Sequence, residues 1–100
     1  MTVRFAEHPT PQLAIVHDAG SFSHTDACRM ADVAVKCKDA RTVVIDLKRA
    51  REATTSAFAQ LVLLRRALLR TGRDLRLVGL QDRTAHLYDI NRLWRVLPCA

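Results

Sequence analysis

Thr42-Val-Val-Ile-Asp-Leu47 is the stretch that decides the fold. It opens with four β-branched residues and is flanked by charge at Arg41 and Lys48, a pattern that predicts a central strand covered on both faces. Downstream, Thr54 to Thr71 predicts a helix that ends at Gly72, a natural residue just past a helix end, with Arg70 complementing the dipole in the last turn. Leu75-Arg-Leu-Val-Gly79 then supplies another strand. A strand, a helix and a strand in succession make a crossover unit, so the two strands run parallel with the helix packed across them.

Upstream the same logic holds. Val3 to Glu7 predicts a first strand, Pro9-Thr-Pro11 interrupts regular structure, and Gln12 to Asp18 predicts a second strand that opens the fold as a hairpin-like pair. Ala19-Gly20 turns the chain. Ser23, with Asp26 three residues later, gives a start signal of the capping-box type for a helix to about Lys38. Ala27, Met30, Ala31, Ala34 and Val35 fall on one side of that helix. Beyond the last strand, Asp82 is placed to cap a third helix through about Asn91, and Leu93 to Leu97 forms a short apolar end segment. The order is β-β-α-β-α-β-α, an α/β fold with a mixed sheet packed against helices.

Residues 1–100 are expected to form a single domain, since cores of roughly 100 residues are not divided further. Hydrophobic residues make up 49% and charged residues 26%, so the chain has the composition of a folded globule and not of a disordered one. The longest apolar runs, Leu13 to Val16 and Leu61 to Leu64, fall far short of the roughly 18 residues that span a bilayer. Glu7 and Pro9 interrupt the stretch where an export signal would be apolar, which predicts a cytoplasmic protein without membrane insertion. Cys28, Cys37 and Cys99 form no C-x-x-C unit and cannot all pair, so reduced thiols are expected. The net charge of +6 is concentrated towards the C-terminus, where residues 51–100 carry 9 basic and 4 acidic groups. That excess makes a basic module for nucleic acid or another polyanion one alternative function.

On the second helix, Ala57, Leu61, Leu64 and Leu68 line the core side, widened by Phe58, Val62 and Leu69. Arg65 lies within that arc and is expected to reach the edge with its head group. Leu63 falls on the opposite side with Ala59, Arg66 and Arg70, where an exposed leucine can touch a partner. Thr54-Thr-Ser56 places three hydroxyls where the chain enters this helix. One suffices to cap the free N–H groups; phosphate on another would add about −1.5 to −2 charges at a helix end that tolerates anions.

The remaining polar residues point to less. His24 and Cys28 stand four apart but have no further metal ligand in register, so no metal site is expected. Asp46, near a strand end, suits either a functional acid or a loop anchor. His8, His17 and His86 show no partner in sequence, and Tyr88 and Trp94 are expected to close the core. Phosphate-cradling and nucleophile-elbow glycine patterns are absent, so no cofactor and no enzymatic activity are expected.

Residues 12 to 98 taken together resemble a STAS domain, the fold of bacterial anti-sigma-factor antagonists. Thr42-Val-Val-Ile-Asp-Leu-Lys-Arg-Ala50 is similar to the family's apolar strand ending in Asp-Leu. Thr54-Thr-Ser-Ala-Phe-Ala-Gln-Leu61 occupies the place of its Asp-Ser-Ser-Gly-Leu-x-x-Leu helix start. Gly72-Arg-Asp-Leu-Arg-Leu-Val-Gly79 and Asn91-Arg-Leu-Trp-Arg-Val-Leu-Pro98 resemble the last strand and closing segment. The resemblance implies a STAS-like regulatory domain that binds an anti-sigma factor or kinase-like protein and is released by phosphate on Thr55, with Ser56 next to it. Thr54 stands at the motif's Asp and Ala57 at its Gly. The implied docking patch is Arg51, Thr54, Thr55, Ser56, Ala59 and Leu63. The resemblance also admits a constitutive subunit of a lipid-transport complex, bound to a transporter ATPase subunit.

Overall fold

The computed structural model describes residues 1–99. Strands β1 (Thr2–Ala6), β2 (Gln12–Val16), β4 (Thr42–Asp46) and β6 (Asp74–Val78) form one sheet in the order β1-β2-β4-β6, while β3 (Ser21–Phe22) and β5 (Glu52–Ala53) pair in a second, two-stranded sheet. The helices are α1 (His24–Lys36), α2 (Thr55–Leu69) and α3 (Asp82–Ile90), followed by a 3-10 turn at Leu93–Arg95. β1 is antiparallel to β2; the pairs β2–β4 and β4–β6 are parallel, as the crossover rule requires.

The pleat of β4 alternates buried and half-buried residues, so only one face is covered, contrary to the reading from its sequence. Val43 and Ile45 point to the helix side and align with Leu13 and Ile15 of β2 and with Leu75 and Leu77 of β6. The opposite face carries Ala14, Val44 and Arg76 in one row and stays open, as the exposed Arg76 indicates. A continuous β-branched run is read as doubly covered because that is its commonest setting; here the second face of β4 is only half-buried. The apolar helix sides close over the first face: Ala27, Met30 and Ala34 from α1, and Ala57, Phe58, Leu61, Leu64 and Leu68 from α2, are buried. Each large side chain removed from water in this way contributes about 1.5–3 kcal/mol.

Three expected core residues lie outside it. Val35 and Leu69 sit at the rim of their helical stripes and are about half exposed, and Trp94 is 56% exposed. Tyr88 is buried, and its hydroxyl donates to the Leu97 carbonyl. Of the two rings expected to close the core, Tyr88 does so, while Trp94, in the 3-10 turn, stays outside it.

Two guanidinium groups complete polar groups that the helices and sheet leave open. Arg73 donates to the Ala40 (2.6 Å), Ala34 (2.8 Å) and Cys37 (2.8 Å) carbonyls at the C-terminal end of α1, where a cation also meets the negative end of the dipole. Arg65 does reach the edge of its apolar arc, where it pairs with Asp74 (2.8 Å) and donates to the Val96 carbonyl (3.0 Å). Gly72 takes φ +74 just past α2, as its position predicts. The predicted cap of α3 is not realised: Gln81 precedes the helix, while Asp82 is its first residue, with φ +50 and no side-chain cap bond.

Gly79, at φ +75, is the tightest backbone position. A Cβ there would lie 2.9 Å from both Asp46 Oδ1 and the Lys48 Cβ, whereas one at Gly20 would meet nothing within 4 Å. Gly79→Ala is therefore expected to lower unfolding free energy by about 1–3 kcal/mol in urea titration, and Gly20→Ala to change it by less than about 0.5 kcal/mol. Equal effects would contradict this account of the turn.

Candidate functional site

The two-residue strands β3 and β5 decide the geometry. They run parallel, Ser21 opposite Glu52 and Phe22 opposite Ala53, and each leads directly into a helix. The cap residues Ser23 and Thr54 consequently stand side by side, with the Thr54 N–H bonded to the Phe22 carbonyl at 3.1 Å. The preceding turn is held in the same way: the Arg51 and Glu52 N–H groups both donate to the Gly20 carbonyl. Under this platform runs a row of rings, His17, Phe22, Phe58 and Tyr88, with successive centroids 5.4, 6.1 and 6.4 Å apart. Edge and tilted ring contacts of this kind hold the platform rigid from below.

Each helix start is satisfied by its own cap. At α1 the full capping box forms: the Asp26 N–H donates to Ser23 Oγ, and the Ser23 N–H donates to Asp26 Oδ2 at 2.9 Å. At α2 the Ala57 N–H donates to Thr54 Oγ1 at 3.1 Å. Thr54 therefore acts as the cap, which leaves Thr55 and Ser56 for other work. Ser56 Oγ lies 2.8 Å from His24 Nδ1, a hydrogen bond between the two helices. Cys28 Sγ lies 3.5 Å from the other ring nitrogen. Thr55 is exposed, and its hydroxyl makes no hydrogen bond among the described residues.

Every residue of the expected patch is exposed. Arg51 lies in the loop before β5; Thr55, Ala59 and Leu63 follow at four-residue intervals along the outer side of α2, and Leu63 is 53% exposed. α1 carries Asp26 in its first turn, but α2 has no acid there, so the positive end of its dipole is uncompensated.

Other candidates resolve as structural. The Asp46 carboxylate accepts from the Lys48 N–H at 2.9 Å and anchors the loop after β4. His17, which lacks a partner in the sequence reading, is buried with Nε2 2.7 Å from the Ser21 carbonyl and 3.9 Å from Asp26. No disulfide joins the cysteines, and no group of three or more metal-ligating side chains occurs, among the described residues. A cavity of about 760 Å³ lies at the opposite end of the molecule, between the C-terminal ends of α1 and α2, and is remote from the hydroxyls.

With the paired helix starts and the β2-β4-β6 order in place, the chain can be set beside known proteins. Residues 8–99 match the STAS domain family. The chain belongs to that family. The STAS fold is shared with the protein TM1081, solved by NMR, at a TM-score of 0.78 and 9% identity over 98% of this chain and 78% of that one. It is shared with a sulfate transporter family protein from Wolinella succinogenes, at 0.71 and 15% over 84% and 69%. The anti-sigma factor antagonist SpoIIAA matches in its unphosphorylated form (0.66, 11%, covering 99% and 86%) and, as the Bacillus cell fate determinant, in its phosphorylated form (0.66, 12%, covering 99% and 91%). At these identities the likeness is one of fold. A search of curated protein sequences gives no match.

The link from His24 to Ser56 and the pairing of β3 with β5 have no counterpart in the sequence reading. Both join residues about thirty positions apart, and two-residue strands leave no periodicity to detect.

Hydrogen bonding from the Ser23 N–H, opposed by burial and aided by the Ser23 hydroxyl, holds the Asp26 carboxyl below its usual range. A lowered folded-state value stabilises the fold above the ordinary aspartate range, and this contribution disappears as pH falls through the lowered value. Wild-type protein should therefore lose more stability between about pH 7 and about pH 3 than Asp26→Asn does, measured by urea midpoints. Parallel losses would remove the capping box as the source.

Proposed function

We propose that this STAS domain is a non-enzymatic regulatory module that docks an anti-sigma factor or kinase-like protein in the cytoplasm through the start of α2. Its contact surface is Arg51, Thr54, Thr55, Ser56, Ala59 and Leu63. Phosphate on Thr55, or on Ser56, releases the partner.

The observation that carries this reading is the division of labour among three adjacent hydroxyls. Thr54 is occupied by the Ala57 N–H and Ser56 by His24, whereas Thr55 is exposed and uncommitted. A phosphoryl group on Thr55 would sit over an uncompensated helix N-terminus, so the fold tolerates it, while the docking face gains about −1.5 to −2 charges. Modifying Ser56 would first break its bond to His24, which favours Thr55 as acceptor. Kinship of fold with an antagonist known in both unphosphorylated and phosphorylated forms supports the same reading.

A second reading is a constitutive subunit of a transport or signalling complex, with a transporter ATPase subunit as partner. It is favoured by Thr54 and Ala57, which replace the Asp and Gly of the antagonist motif, and by the likeness to a transporter-family STAS domain. Ala57 is fully buried, so its position accepts only a small side chain in either reading.

Thr55→Asp should weaken binding to a candidate anti-sigma kinase by about tenfold or more in titration calorimetry, whereas Thr55→Ala should retain it. Incubation with that kinase and ATP should add one phosphate by intact mass, and Thr55→Ala should block the addition. Equal binding by both variants with no phosphate added would discard the switch and leave the constitutive reading.

A further inference from the structure

A second surface lies towards the C-terminal half of α2, independent of the hydroxyl cluster. Val62, Arg66 and Leu69 succeed one another at helical spacing on α2, and the segment after α3 lies against them, held by the bond from Arg65 to the Val96 carbonyl. Together with Arg95 and Val96 these residues line an open groove of about 210 Å³. Its lining is aliphatic at Val62, Leu69 and Val96 and cationic at Arg65, Arg66 and Arg95. The Arg65 guanidinium is engaged by Asp74, but the Arg66 guanidinium has no ion pair or hydrogen bond among the described residues, and the Arg95 guanidinium has only the ring of Trp94, 5.3 Å from its carbon. Leu69 in the groove wall and Trp94, next to Arg95 in the chain, are 48% and 56% exposed. These are large apolar side chains held in water next to uncompensated positive charge.

We propose that this face binds peripherally to the surface of an anionic lipid bilayer. Uncompensated arginines call for an anionic occupant, and the charge of residues 51–100, 9 basic against 4 acidic, provides attraction at longer range. The aliphatic lining distinguishes a lipid from a nucleic acid. Nucleic-acid grooves stack successive bases on several aromatic side chains, and this patch offers a single indole. Val62, Leu69 and Val96 instead match the start of an acyl chain, the arginines match a phosphate headgroup, and tryptophan is the residue suited to the boundary between them. The domain would lie on the membrane and not cross it, since no helix among the described residues is long and apolar enough to span. Arg66 lies eleven residues, or about 16 Å of helix, beyond Thr55, so the hydroxyl end of α2 stands clear of the groove, while Leu63, one turn before Arg66, borders both surfaces.

Trp94 is the only tryptophan, so its emission reports directly on the face. Full-length protein should co-sediment with phosphatidylglycerol-containing vesicles at low salt with a blue shift of Trp94 emission, and should not bind phosphatidylcholine vesicles. Arg66→Glu with Arg95→Glu should weaken binding by about tenfold or more, with unchanged circular dichroism, since both side chains are exposed. No binding to anionic vesicles, binding without the emission shift, or equal binding by the double variant would overturn the proposal. So would Trp94 quenching by an oligonucleotide under conditions where vesicles fail to bind.

Discussion

The pairing of Ser21-Phe22 with Glu52-Ala53 is the constraint on which the site depends. Two strands of two residues contribute little to stability, yet they run parallel and each becomes a helix within one residue. That fixes both helix starts at one level and on one side of the molecule. The caps, the hydrogen bond between His24 and Ser56 and the exposure of Thr55 all follow from this alignment. If the two strands slipped by one residue, Phe22 would leave the aromatic row beneath and His24 would lose its reach to Ser56.

The main sheet and helices were legible because their signals are local and periodic. β-branched runs marked β4, apolar spacing marked the core side of α2, and Ser23 with Asp26 marked the start of α1. The misreadings share a physical cause: each needed knowledge of a distant partner. Whether β4 is covered on one face or two depends on where the helices cross, not on β4 itself. Trp94 and Tyr88 are alike in sequence terms, but only Tyr88 has the Leu97 carbonyl within reach. At the site, the three hydroxyls and Leu63 could be found from spacing. Their division into cap, helix tether and free group could not, because His24 arrives from thirty-two residues away.

The charge distribution gives the two ends of α2 different characters. At its start, the Thr54 hydroxyl caps a backbone N–H but no acid offsets the dipole, so the arrival of a negative group is tolerated there. Further along, Arg65 is absorbed by Asp74 and Val96, and Arg66 and Arg95 remain unmatched. One helix thereby displays two surfaces with separate chemical preferences, while its buried side, Ala57 to Leu68, holds it to the sheet.

The guanidinium of Arg73 reaches back to carbonyls at residues 34, 37 and 40. Arg73 stands immediately before β6, so the pairing of β6 with β4 is what carries its side chain under those carbonyls. Truncation before residue 73 would therefore remove an edge strand and the polar closure of the first helix together.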